Sequence, residues 1–413
     1  MRKQFGGALV VTLVVLAGLV TVVTGFSAAQ RAYLQGIQTR LDRMRAQMMA
    51  EAALNRAMAE LVNVDPNNLL LSDEWSQIGE TSGEYFTIAA GQARLQILDS
   101  GALIDINSAD EQQLLNLGLT NEQVDSILDW REAGVETRPE GAKDEYYNSL
   151  ADPYNAALRE FRTIDELLMV KGMNLAALYT HNPETQATQP LVQGSDEDQP
   201  APIELLTLGS SSPLTTGGQA KLNANTATAQ QMVQRGIQQQ LAQAIIQRRN
   251  TTGQFATLGA VLLTPGVNNN NAATILDNLT IATGTVIEGK INLNTAQEAV
   301  LNSISGMTPD ITQAILTRQS EGFAGLGDLA SLPGVSVQWL AATVDRFTIG
   351  GNVFQVRVVG EYGASSYSLV ASIEFSNGVV RILSLEKPPY ENMSARWGWA
   401  EEGQTEIVLA EEL

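Results

Sequence analysis

Between Arg131 and Phe161 lie Glu132, Glu136, Glu140, Asp144, Glu145 and Asp152, interleaved with Gly141, Tyr146, Tyr147 and Tyr154. An oxygen-rich loop with glycine suits a hard cation, since calcium takes about 6–8 oxygen ligands in flexible geometry. The spacing is not that of an EF-hand loop, and on composition alone a solvated acidic loop is favoured over a metal site. A metal there would restrict a long loop and not catalyse. Elsewhere the chemistry is sparse. The 413 residues include one histidine, His181, and no cysteine, which removes Cys nucleophiles and nearly all His-based triads and zinc sites. No set of nucleophile, base and oxyanion donors can be assembled, so the chain reads as non-enzymatic.

The acidic loop sits in the first of three copies of one unit. Each opens on an apolar step and Asn-Ser/Thr-Ala: Ile106-Asn107-Ser108-Ala109, Ala224-Asn225-Thr226-Ala227 and Leu293-Asn294-Thr295-Ala296. An Arg follows 24 residues after each Asn (Arg131, Arg249, Arg318), then a Phe (Phe161, Phe255, Phe323), then a Gly 11 residues on (Gly172, Gly266, Gly334). From Arg to Phe is 6 residues in copy two and 5 in copy three, but 30 in copy one, so the acidic loop is an insertion into a repeated supersecondary unit. Apolar residues follow helical spacing on both sides of Gly118, Gly236 and Gly306, which predicts helix–turn–helix pairs. The Asn-Ser/Thr-Ala step reads as the N-cap of the first helix in each pair.

Helix-hairpin-helix pairs often present turn amides to phosphate. Here the usual Gly-apolar-Gly turn lacks its second glycine, reading Gly118-Leu119-Thr120, Gly236-Ile237-Gln238 and Gly306-Met307-Thr308. The chain is also acidic, with net charge −20 and an isoelectric point near 4.4, whereas phosphate affinity scales with the cations that release counterions. Structural turns are favoured, and nucleic-acid binding is the runner-up.

At the N-terminus a short basic segment, Met1-Arg2-Lys3-Gln4-Phe5-Gly6, precedes an almost wholly apolar stretch from Gly7 to Phe26, long enough to cross a bilayer with its basic end in the cytoplasm. A secretory signal peptide, cut within Ser27-Ala28-Ala29 to leave a mature end near Gln30, is one reading. Against it, Ala29 to Val62 contains no proline and places Leu34, Ile37, Leu41, Met44, Met48 and Leu54 at helical steps. The span therefore continues as one helix of roughly 80 Å at 1.5 Å per residue.

A basic leader ending in Gly6, followed by Gly7-Ala8-Leu9-Val10-Val11 opening a membrane-spanning helix, resembles the type IV prepilin-like proteins. Such proteins usually carry Glu at the fifth mature position; the Val11 found here is typical of the K-type minor pseudopilins of type II secretion. Asp129-Trp130-Arg131, Gly141-Ala142-Lys143-Asp144-Glu145-Tyr146-Tyr147, Glu166-Leu167-Leu168-Met169-Val170-Lys171-Gly172-Met173 and Ile291-Asn292-Leu293-Asn294-Thr295-Ala296 are similar to that family's signature, in the same order. The resemblance covers roughly residues 1 to 385. It implies cleavage by prepilin peptidase between Gly6 and Gly7, and a calcium site in the insertion, for which Glu140, Asp144, Glu145 and Asp152 are the candidates. Lys143 stands where an acidic residue is common in relatives.

The resemblance also implies an α+β fold: a long N-terminal transmembrane and spine helix, a pilin-like antiparallel sheet, and a large inserted α-helical domain of repeated helix-hairpin-helix (SAM-like) modules. Short strands are expected at 85–88 and 93–98, then at 353–359, 367–375 and 379–385, the last two joined at Asn377-Gly378. The expected plan is leader 1–6, helix 7–62, first sheet part 63–103, module one 104–183, low-complexity linker 184–218, modules two and three at 219–288 and 289–350, returning strands 351–390 and an acidic tail 391–413. The role implied is to cap the tip of a periplasmic pseudopilus and help initiate its assembly for export across the outer membrane. Implied partners are the I- and J-type minor pseudopilins, prepilin peptidase, the inner-membrane assembly platform, and secreted cargo or the outer-membrane secretin. The protein would sit in the inner membrane, N-terminus cytoplasmic and globular part periplasmic. The alternative is a membrane-anchored helix-hairpin-helix protein for DNA binding or uptake.

Overall fold

A computed structural model describes residues 5–78, 86–88, 90–179 and 201–388, with Met393, Trp397 and Trp399. His181, the first half of the predicted linker and the acidic tail from 401 lie outside the described residues.

The N-terminal helix α1 runs unbroken from Phe5 to Leu61. Its distal half packs on a five-stranded antiparallel sheet of β1 (Phe86–Ile88), β2 (Gly91–Asp99), β3 (Val353–Tyr362), β4 (Ser365–Ser376) and β5 (Val379–Glu386), in the order β1-β2-β3-β4-β5. Neighbours β2 and β3 pair with Val356 opposite Ile97 and Val358 opposite Leu95. All of the helical modules are therefore inserted between two adjacent strands of one sheet. The fold is α+β, with the long helix, the sheet and the inserted helical domain that the sequence predicts. Asn377 and Gly378 both take positive φ in the two-residue turn between β4 and β5, the geometry that follows the twist of a hairpin. Gly91 opens β2, opposite Ile88, at the hairpin between β1 and β2.

The contact between helix and sheet is made mostly by small residues. Ala46, Ala50, Ala53, Leu54, Ala57 and Leu61 are buried against Leu95, Ile97, Phe354, Val356 and Val358. A small-residue stripe lets the helix backbone approach the sheet, and Gly360 completes the fit, since a Cβ there would collide with the carbonyl oxygen of Ala46. The large residues at helical steps face away from the sheet: Leu34 is 63% exposed, Met44 59% and Met48 62%. Only Leu54 of that series is buried.

The three modules share one continuous core, from Ile104 to Ile349. Each has its helix pair: Glu111–Asn116 with Asn121–Arg131, Ala229–Gln234 with Gln239–Thr252, and Glu298–Asn302 with Pro309–Gln319. Gly118, Gly236 and Gly306, between the helices of each pair, all have φ between 85° and 88°, where an L side chain is strained. Each module is also closed by a two-residue parallel pairing: Ile104–Asp105 with Leu206–Thr207, Leu222–Asn223 with Leu279–Thr280, and Ile291–Asn292 with Phe347–Thr348. The strand closing module one thus lies within the expected linker. Its residues from 201 onward are folded, including Ser211–Pro213, which pairs with Val286–Glu288. Short Ser/Thr/Pro segments can add to a sheet edge without a core of their own, which composition alone does not reveal.

Sheet and modules meet at Asp99, the last residue of β2. Its carboxylate accepts from Asn292 Nδ2 (2.7 Å), Thr295 Oγ1 (2.7 Å) and the Gly101 amide (2.9 Å). Burial pushes its pKa up, against the three hydrogen bonds, which favour the charged form.

Candidate functional site

The predicted processing point, Gly6-Gly7, lies in the first turns of α1, and residues 1–4 lie outside the described residues. From Leu9 to Phe26 the large apolar side chains are all exposed; the most apolar 18-residue stretch has mean hydropathy 2.6 and no buried residue. A helix with that much apolar surface and no protein against it needs lipid or other helices. Further along, Leu34, Ile37, Leu41, Met44 and Met48 form an exposed stripe at alternating steps of three and four residues. Met44 and Met48 lie two residues from Ala46 and Ala50, about 200° round the helix. One face of this segment carries the sheet while the opposite face presents a seam suited to a neighbouring helix.

Inside the modules the recurrent residues serve as locks. Asn107 Nδ2 donates to Phe161 O (3.1 Å) while the Phe161 amide donates back to Asn107 Oδ1 (2.8 Å). Asn225 makes the same pair with Phe255 at 3.0 and 2.8 Å, and Asn294 with Phe323 at 3.1 and 2.6 Å. These Asn residues are therefore not the expected helix N-caps. Asp110 and Thr228, three residues after Asn107 and Asn225, accept from the Gln113 and Gln231 amides in that role. The recurrent Arg donates to carbonyls on either side of the Asn: Arg131 to Ile106 and Ala109, Arg249 to Ala224 and Ala227. In copy three the residue in this position is Gln319, which donates to Leu293 O (2.7 Å) and Ala296 O (2.8 Å). Arg318, one residue earlier, instead pairs with Glu321 and Asp328. An Arg next to the true position satisfies a spacing rule while pointing elsewhere on the helix.

The insertion of copy one is a folded body. Tyr147 is fully buried, with ring centroids of Trp130, Tyr146 and Tyr154 each 5.2 Å away. Its hydroxyl accepts from the Lys171 amide (3.1 Å), and burial pushes its pKa up to about 12. Arg138 spans the loop, donating to Asp129 (2.9 Å) and Glu132 (2.8 Å). Gly141 must be glycine, because a Cβ would overlap the Asp129 carboxylate.

The four calcium candidates do not come together as a donor set. Glu140, Glu145 and Asp152 are exposed, and Asp144 Oδ1 accepts from the Ala156 amide (2.8 Å). Among the described residues no group of three or more His, Asp and Glu side chains is placed to hold a metal ion. The residues present do not fit calcium. The lysine in their midst, already singled out in the sequence, takes a role that the sequence did not show: Lys143 is 7% exposed, and its Nζ donates to the carbonyls of Asp129 (3.0 Å) and Glu132 (2.9 Å). The signal for it was a cationic side chain inside an acidic run.

Residues 108–187 match the family described as Type II secretion system (T2SS), protein K, and residues 218–280 match the helix-hairpin-helix motif. The chain is similar to the Type II secretion system protein K of Klebsiella pneumoniae, 26% identical over 202 residues, covering 43% of this chain and 60% of that protein. Its likeness to the protein of the same name from Pectobacterium carotovorum subsp. carotovorum is 25% over 199 residues, covering 42% and 59%. The chain thus spans about 60% of the length of the curated relatives it matches. A crystal structure of the GspK-GspI-GspJ complex from enterotoxigenic Escherichia coli aligns over 88% of this chain and 99% of its own, with 13% identity and a TM-score of 0.38. The first-module match and both relatives agree with the order of motifs along the sequence, and over these stretches the chain is similar to type II secretion system protein K.

Proposed function

We propose that this protein is a non-catalytic minor pseudopilin that caps the tip of the periplasmic pseudopilus and helps initiate its assembly. The observation that carries this reading is the two-faced helix α1. Its Ala46–Ala57 face holds the sheet, and its Leu34–Met48 seam and apolar first half are left to partners. A helix buried on one side by its own domain and apolar on the other is built to join a bundle of like helices after leaving the membrane. Two features favour the tip over the shaft. Val11 supplies no carboxylate at the position where pilins usually carry Glu, and the helical body between β2 and β3 adds bulk that repeated stacking along a shaft would have to accommodate. The I- and J-type minor pseudopilins are the proposed neighbours, with prepilin peptidase and the inner-membrane assembly platform acting before incorporation. Secreted cargo and the outer-membrane secretin are the proposed contacts of the helical body.

Nucleic-acid binding is less favoured by the second module, despite its motif match. Three of the module's four cations, Lys221, Arg235 and Arg249, donate to backbone carbonyls of Leu276, Ala220 and Ala224, so most of the charge available for phosphate is spent inside the module.

Mass spectrometry of the mature N-terminus, with and without co-expressed prepilin peptidase, tests the reading. A peptidase-dependent, methylated start at Gly7 is expected. A start near Gln30 would contradict it and make the protein a free periplasmic one; an intact Met1 would favour the anchored receptor.

A further inference from the structure

The carbonyls that hold Lys143 belong to the end of helix Asn121–Arg131, Asp129 in its last turn and Glu132 at its C-cap. Helix ends leave carbonyls without intrahelical partners and favour positive charge. A buried ammonium needs such partners, because desolvation of an unpaired charge is costly. Three nearby carboxylates are engaged elsewhere. Asp129 accepts from the Arg138 amide and Nη1 (3.0 and 2.9 Å), Asp125 from the Glu140 amide (3.0 Å) and Asp144 from the Ala156 amide. A second ammonium closes the other side. Lys171 Nζ donates to Glu140 O (3.0 Å), pairs with Glu122 (3.0 Å) and lies 5.3 Å from the centroid of the Tyr146 ring.

We propose that the acidic insertion is ordered by its own ammonium groups, with Lys143 in the position of a structural cation, so that the loop folds without a divalent metal. An added ion would meet two carbonyls already hydrogen-bonded to Lys143, a carboxylate already paired with Arg138, and two or three positive charges close by, far short of about 6–8 oxygen ligands. The inference concerns the insertion alone and does not depend on the position of the protein in a fibre.

Hydrogen–deuterium exchange of the full chain in detergent, read on peptides spanning 132–160, tests it in millimolar calcium and in EGTA. The expected result is the same exchange in both, with Lys143→Met, which keeps the apolar stem, speeding exchange in that segment by roughly tenfold or more in both conditions. Slower exchange in calcium than in EGTA for the unmodified chain would overturn the proposal, and so would a Lys143→Met loop that exchanges like the original. If Lys143→Met fails to fold, the calcium comparison on the unmodified chain still decides.

Discussion

The first module and the two that follow use the same Asn–Phe lock, yet it closes 54 residues in copy one, against 30 in copy two and 29 in copy three. Lengthening the closed segment from 30 to 54 residues adds only about 0.5 kcal/mol of closure entropy. The lock depends on where its ends lie, so the chain between them is free to acquire other contacts. In copies two and three that chain holds the helix pair alone; in copy one the residues added after Arg131 build an aromatic cluster around Tyr147 and are held by two cation bridges.

Substitutions that separate the copies sharpen this contrast. Tyr147→Ala removes the fully buried centre of the insertion and is expected to cost about 3–5 kcal/mol. Exchange should rise across 132–171 and stay unchanged in 222–280; a uniform rise would mean that the insertion is not a body of its own. Asn294→Ala should follow at about 3 kcal/mol by chemical denaturation. Asn294 is 1% exposed and also reaches Asn68 (2.8 Å) and Ile349 O, whereas the half-buried Asn107 and Asn225 should lose about 1–2 kcal/mol each as Ala variants. Equal losses at all three would show that the locks are interchangeable despite their different burial. The smallest effect belongs to Arg318→Met, below about 1 kcal/mol because its ion pairs with the exposed Glu321 and the half-buried Asp328 both reach solvent. Arg249→Met, which removes the bonds to Ala224 and Ala227, should cost about 1–3 kcal/mol. A reversed order would restore Arg318 as the equivalent of Arg249.

Repeats, inserted helical domain and the hairpin at Asn377-Gly378 were legible because the residues that mark them are set by backbone geometry. Gly118, Gly236 and Gly306 occupy positive φ, and Asn377-Gly378 forms the turn that such a pair favours. The spacing of Asn and Phe was also visible, but not that each Asn side chain bonds the Phe backbone, since an Asn beside a helix start looks like a cap. The sheet-facing side of α1 was not legible because alanine is small: Ala46, Ala50, Ala53 and Ala57 carry less apolar signal than the leucines and methionines opposite, yet they allow the close approach at Gly360. In the insertion, counting carboxylates pointed to a metal, while the backbone amides, Arg138 and Lys143 that engage the site emerge only from the fold.

The absence of cysteine from the chain allows one engineered thiol to report its position in a fibre. Val135, 91% exposed on the insertion, can be replaced as Val135→Cys, labelled with gold and imaged on pseudopili assembled with all of their subunits. Label at a single end of each fibre is the result predicted for a tip subunit; label spaced along the shaft would contradict the account.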